Sequence, residues 1–221
     1  MAEIDFIGVL HNRTKRDYVG RVTEHDKAEC AEVAKQYGYD YWDGERQFGY
    51  GGYSYDGRWK VVTDAMVAHY GIKPGDRILD IGCGKGYLLY EFTQSMPGVE
   101  VAGIDISQYA IENAKEEVKP FLRTGNAKSL PYDDGEFDFV VSLGTLHNLK
   151  ISELFTALSE MERVGTPERS YFMVESFRNE RERANLLYWQ LTCESFHSPD
   201  DWQWIADQAG YTGDLGFIYF E

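Results

Sequence analysis

Paired cysteines are missing from this chain. Cys30, Cys83 and Cys193 are its only thiols, scattered and never in a C-x-x-C spacing. That argues against a disulfide framework and against a zinc site, so no metal is expected, and it suits a reducing cytoplasm. Lysine and arginine are also short, 22 against 37 acids for a net charge of −15. Because each neutralised phosphate needs a cation, this balance disfavours an extended nucleic-acid surface. No apolar run approaches the length of a membrane span, and acidic Glu3 and Asp5 do not suit the start of a secretion signal. Internal repeats and low-complexity tracts are absent. What is left is an ordinary globular composition, 43% hydrophobic and 27% charged, with 221 residues to build one domain and some decoration.

The chain is organised around Ile78-Leu79-Asp80-Ile81-Gly82-Cys83-Gly84-Lys85-Gly86, an apolar strand running into three alternate glycines and then into helical Tyr87 to Phe92. Glycines at every second position permit positive φ and leave backbone that a ligand can approach closely. The dinucleotide fingerprint would need its third glycine at 87, where Tyr87 stands, so a nicotinamide or flavin pyrophosphate is disfavoured. Asp80 points the same way, since a carboxylate suits an ammonium or sulfonium better than a diphosphate. Asp-x-Gly-x-Gly-x-Gly resembles the first motif of the class I S-adenosylmethionine-dependent methyltransferases. The resemblance implies an α/β fold with a doubly wound, mostly parallel, Rossmann-like sheet, S-adenosyl-L-methionine as cofactor, and methyl transfer as the activity.

Further along, Val99 to Asp105 reads as a second strand ending in an acid. Asp105 is placed to accept from a ribose diol, with Ile106 beside it, while Ser107 is free to cap the next helix. By the same resemblance, Asn126 holds the adenine amino group through its amide oxygen, Ala127 offers a backbone N–H, and Leu143 and Gly144 run along the cofactor. Gly82, Cys83, Gly84 and Gly86 form the turn itself. Thr145, His147 and Asn148 fall at the C-terminal end of the fourth strand, where open α/β sheets carry their chemistry. Residues 137–143, 170–176 and 215–220 read as the later strands, and Ile151 to Val164 as a helix with an apolar stripe. The family's sheet normally ends in an antiparallel seventh strand. Only one strand remains after the last helix, which leaves an edge for a partner chain and a homodimer as one expectation.

Residues 1–60 differ from the rest of the chain, being rich in tyrosine, glycine and charge. They read as a cap over a catalytic domain of residues 61–221, with 178–200 as an insertion completing a substrate pocket. In the cap, Thr23 to Asp26 starts a helix that Gly38 ends, and Gly49-Tyr50-Gly51-Gly52-Tyr53 pairs bare backbone with aromatics, so that Tyr50 is placed to touch the cofactor. Candidate bases for an acceptor hydroxyl or amine are His147, Glu175 and Tyr53, with His197 behind them. Two basic clusters, Arg13, Lys15, Arg16 and Arg21, then Arg178, Arg181 and Arg183, suit a phosphate or carboxylate on a small metabolite or else form solvated charge runs. The function this supports is methylation of an oxygen or nitrogen of a small, anionic metabolite. A non-methylating relative that binds the same nucleoside, such as an aminopropyltransferase or a binding module, is the alternative, and a nicotinamide oxidoreductase the weaker one.

Overall fold

The computed structural model describes residues 1–221. Four short helices come first: α1 (Gly8–His11), α2 (Gly20–Thr23), α3 (Lys27–Ala34) and α4 (Tyr39–Trp42). After them come α5 (Lys60–Tyr70), β1 (Arg77–Ile81), α6 (Tyr87–Ser95), β2 (Glu100–Asp105), α7 (Gln108–Glu112), β3 (Leu122–Thr124) and β4 (Phe139–Leu143). The chain closes with α8 (Ile151–Val164), β5 (Ser170–Ser176), α9 (Glu180–Trp189), α10 (Pro199–Gln208) and β6 (Asp214–Tyr219).

The six strands form one sheet in the order β3-β2-β1-β4-β5-β6, and every pairing is parallel. Both faces are covered, which explains why the strands are apolar throughout instead of alternating. Leu79, Ile81, Val140, Phe172 and Val174 face α8 and α10, where Leu154, Leu158, Met161 and Trp202 are buried. Ile78, Phe139, Val141 and Met173 face α5 and α6, against Val62, Met66, Leu89 and Phe92. Each fully buried aliphatic or aromatic side chain contributes about 1.5–3 kcal/mol, so these two layers, not helix propensity, hold the sheet together. No helix is long and apolar enough to cross a membrane.

Three features add to the expectations or change them. No antiparallel seventh strand lies among these residues. The outer edge of β6 is instead occupied by the chain's own N-terminus, where Ile4 N–H donates to the Leu215 carbonyl at 2.8 Å and Leu215 N–H to the Ala2 carbonyl at 3.0 Å. The edge left open for a partner is therefore filled from within over that stretch. Second, residues 1–60 have no core of their own. Phe6 and Ile7 enter the same layer as Val62 and Met66, while Cys30 and Ala34 of α3 pack on Leu191. Third, α3 is capped by Asp26, whose carboxylate accepts from Ala28 and Glu29 N–H, but the left-handed residue after it is Tyr37 at φ 50°, not Gly38. The Tyr37 carbonyl is held there by Ser107 Oγ and Trp42 Nε1.

Candidate active site

β1 and β4 are neighbours in the sheet although their connections leave in opposite directions, and at that reversal the strand ends part to make a crevice. Two adjoining cavities open there, of about 470 and about 300 Å³. Gly82, Leu143, Gly144 and Asn148 line both, beneath Tyr41, Trp42 and Tyr50 of the cap. The smaller holds Asp105, Ile106, Asn126 and Ala127. The larger holds Asp80, Cys83 and Gly84, then runs outward past His147 and Glu175 to Trp189 and Gln190. The residues expected to hold a cofactor thus converge, with one exception. Gly86 lines neither cavity: it caps α6 in the left-handed conformation, and a Cβ there would press on Val118 and Leu122.

The other two glycines also carry more than open space. All three have positive φ, at 84°, 53° and 73°. A Cβ on Gly82 would collide with the Thr145 side chain, and one on Gly84 with the Trp42 ring at 2.7 Å. The absent side chains therefore admit the chain's own residues, and Trp42 in particular seats the cap directly on the turn. Lys85 secures it. Its ammonium donates to both Asp43 oxygens at 2.7 Å and to the Tyr53 carbonyl at 2.9 Å, while Asp43 also accepts from Tyr109 Oη and Tyr53 N–H. Trp42 stacks on Tyr50 at 5.3 Å, and Tyr50 lines both cavities.

The electrostatics favour a cationic nucleoside. Asp80 is buried, and no donor of the chain satisfies its carboxylate. Burial, then repulsion from Asp105, pushes it up to about 8. An entering cation would stabilise the charged form. Asp105 accepts from Gly84 N–H at 2.8 Å and from Ser107 N–H at 2.7 Å, which orients it while leaving lone pairs for a diol. Ser107 caps α7. Ile106, 58% exposed, offers an apolar surface, and Asn126, which lines the smaller cavity, closes its own turn by accepting from Lys128 N–H through Oδ1, an oxygen that keeps a second lone pair for an amino group. S-adenosylmethionine fits this set of donors and acceptors.

The three candidate bases differ. His147 Nδ1 accepts from Glu175 N–H at 3.3 Å, which places the proton on Nε2, 3.7 Å from Glu175 Oε2. Burial lowers its pKa to about 3, so it stays neutral. The Tyr53 hydroxyl accepts from Trp59 Nε1, and burial pushes it far above the ordinary phenol range. Glu175 has a buried Oε2 with no hydrogen-bond partner, and burial raises it to about 8 against the opposing charge of Arg16. His197 is not among the lining residues; its ring packs edge-on against Trp202. Sequence reasoning missed Arg46 and the Lys85–Asp43 anchor, which reach the site only through the fold, whereas Trp189 and Gln190 fall in the 178–200 segment expected to complete the pocket. Asn148 Oδ1, buried and unpartnered where the two cavities join, is a further acceptor.

Comparison with known proteins agrees with this geometry. The methyltransferase-domain family matches residues 72–210. An uncharacterized methyltransferase of Synechocystis is 32% identical over 152 residues, 64% of this chain and 69% of that protein. The demethylmenaquinone methyltransferase of Symbiobacterium thermophilum is 34% identical over 128 residues, 54% of this chain but only 50% of that protein. Among solved structures, the YcgJ protein of Bacillus subtilis superposes with a TM-score of 0.55 at 21% identity, covering 66% of each chain, a likeness of fold alone. With the glycine turn, the all-parallel sheet and the carboxylates at its switch point, these matches place the chain in the class I S-adenosylmethionine-dependent methyltransferases.

Proposed function

We propose that this chain methylates an oxygen or nitrogen atom of a small molecule held in the larger cavity, with Glu175 as general base. The supporting observation is Glu175 itself, a buried carboxylate with one unpartnered oxygen, opening into the cavity that Asp80, Gly82 and Gly84 also line. When bound, S-adenosylmethionine supplies an electrophilic methyl group on a sulfonium. Asp80 and the peptide edges of Gly82 to Gly84 hold its amino-acid end, while Asp105, Ile106, Asn126, Ala127, Leu143 and Gly144 hold its nucleoside. The chain then needs to align an acceptor lone pair with the methyl, exclude water and take up one proton. Trp42, Tyr50 and Tyr53 exclude the water, Glu175 takes the proton, and His147 is a positioning residue whose Nε2–H faces Glu175. Residues 1–60 act in this reading as the cap and 178–200 as the outer wall of the pocket.

The test is incubation of the full chain with S-adenosylmethionine labelled in the methyl group and a fractionated metabolite extract. Label should appear in a small product together with S-adenosylhomocysteine, and Glu175→Gln should suppress it. Tight binding of S-adenosylhomocysteine with no labelled product from any fraction would favour the non-methylating alternative.

A further inference from the structure

The outer end of the larger cavity holds an uncompensated cluster of positive charge. The guanidinium carbons of Arg16, Arg21 and Arg46 lie 5.6, 5.1 and 5.2 Å from the centroid of one ring, that of Trp189. No two of them can therefore be farther apart than the sum of their distances to that ring. All three line the cavity, and none has a carboxylate within salt-bridge distance, although acids outnumber cations across the chain. The second basic cluster seen in the sequence behaves differently: Arg178 pairs with Glu182 and Glu221, and Arg183 lies 3.6 Å from Glu180.

The three side chains are positioned without being neutralised. His11 donates from Nε2 to the Tyr219 carbonyl at 2.7 Å, so its Nδ1 accepts from Arg16 Nη2 at 3.1 Å. Arg21 donates to the carbonyls of Trp189 and Arg46, and Arg46 to that of Gly49. Each anchor uses part of the guanidinium fork and leaves other N–H groups unengaged; Arg16 Nε is buried with no acceptor at all. Burial holds all three below the ordinary arginine range, and the charge of Arg46 adds to this at both Arg16 and Arg21. Three like charges gathered around one ring, part-buried at Arg16 and Arg21 and exposed at Arg46, repel one another in the ligand-free protein, and an anion would offset that repulsion.

We propose that Arg16, Arg21 and Arg46 form a clamp for a multiply charged oxyanion of the phosphate class, carried by the methyl acceptor and held at the end of the cavity away from the glycine turn. This rests on the cavity being the acceptor site. Glu175 lines the same cavity, near enough to feel the charge of Arg16 but outside ion-pair distance. The acceptor would therefore be gripped by its anionic group at the mouth and present its nucleophile to Glu175. Three forked donors exceed what a single carboxylate can satisfy but match the oxygens of a phosphate monoester.

Calorimetric titration of inorganic phosphate into the full chain loaded with S-adenosylhomocysteine tests this. The wild type should bind phosphate saturably, and Arg16→Gln, Arg21→Gln and Arg46→Gln should each weaken it about tenfold or more, the loss of one charge-assisted fork. Arg178→Gln, outside the cavity, should leave it unchanged. Acetate should bind about tenfold more weakly than phosphate, having one charge and two oxygens. Equal phosphate binding by wild type and the three variants would overturn the clamp, and acetate binding as tightly as phosphate would overturn its class. Parallel loss of S-adenosylhomocysteine affinity would overturn it too, by assigning the arginines to the cofactor's carboxylate. Failure of the wild type to bind S-adenosylhomocysteine would instead defeat the methyltransferase reading, before any phosphate is added. For a glutamine variant whose circular dichroism shows no fold, the lysine variant takes its place. It keeps the charge and loses the fork, so unchanged phosphate affinity would count against the clamp.

Discussion

Neutralising Asp43 should loosen the cap and destabilise the whole chain. Lys85 is only 5% exposed, and its ammonium has three acceptor contacts, two of them from Asp43. Asp43→Asn would leave that cation buried with the Tyr53 carbonyl and a neutral amide. Breaking a buried pair from one side costs about 3–5 kcal/mol. Because the Asp43 side chain is 27% exposed, the lower end, about 3 kcal/mol, applies here. For a domain of this size that corresponds to a fall in Tm of about 6–12 °C. Thermal unfolding followed by circular dichroism measures it. Lys60→Ala provides the control, since the Lys60–Asp64 pair is half exposed on both sides and should cost no more than about 0.5 kcal/mol. Adding Lys85→Met to Asp43→Asn should recover much of the loss, because the stranded charge is then gone. The effect should also depend on pH. Burial pushes the Asp43 carboxyl up, but hydrogen bonds from Lys85, Tyr109 and Tyr53 outweigh it and hold the group below its usual 3.8. Its contribution is therefore present above that value and lost as pH falls through the folded one, so wild type and variant should converge in acid. An Asp43→Asn chain that melts within a degree or two of the wild type at neutral pH would refute the reasoning.

Three other perturbations bear on the site itself. Glu175→Gln should lower kcat by about 10²–10⁴ while leaving S-adenosylhomocysteine affinity intact, and wild-type turnover should climb as pH rises through about 8, where Glu175 ionises; a flat profile between pH 6 and 9 would deny it the base role. Asp80, raised to about 8, should lose its proton when a cation binds, so S-adenosylmethionine affinity should rise by up to about tenfold per pH unit below that point. The same raised value means that Asp80 makes the unliganded fold less stable as pH rises towards 8, so Asp80→Asn should stabilise the unliganded chain at pH 8 while weakening cofactor binding; calorimetry and melting curves check both. Gly84→Ala should displace Trp42 from the turn, costing at least about 1 kcal/mol for the left-handed backbone alone, with a visible change in tryptophan fluorescence.

Much of the fold was legible in the linear chain because its signals are local. The apolar runs of β1, β4 and β5, the apolar stripe of α8 and the spacing of Gly82, Gly84 and Gly86 are each contained within a dozen or so neighbours, and they appear where periodicity and φ preference put them. The acids at the strand ends were legible for the same reason, since a parallel sheet brings every strand's C-terminal end to one rim. What filled the space beside the glycines was not, because Thr145, Trp42 and Leu122 come from distant segments. Nor could spacing choose between His147 and Glu175: that depends on which ring nitrogen the β5 backbone engages.

The alternation of residue types by itself determined the layered parallel sheet, the turn that receives a cofactor and the acids beside it, since each arises from backbone preference and the periodicity of burial. Only the tertiary structure decided that Ala2 to Ile4 closes the β6 edge, that Lys85 and Asp43 fasten the cap, and that Arg46 joins Arg16 and Arg21 around Trp189. The physical reason is that charge compensation and cavity shape depend on distances in space between residues far apart in the chain, and no local preference encodes those.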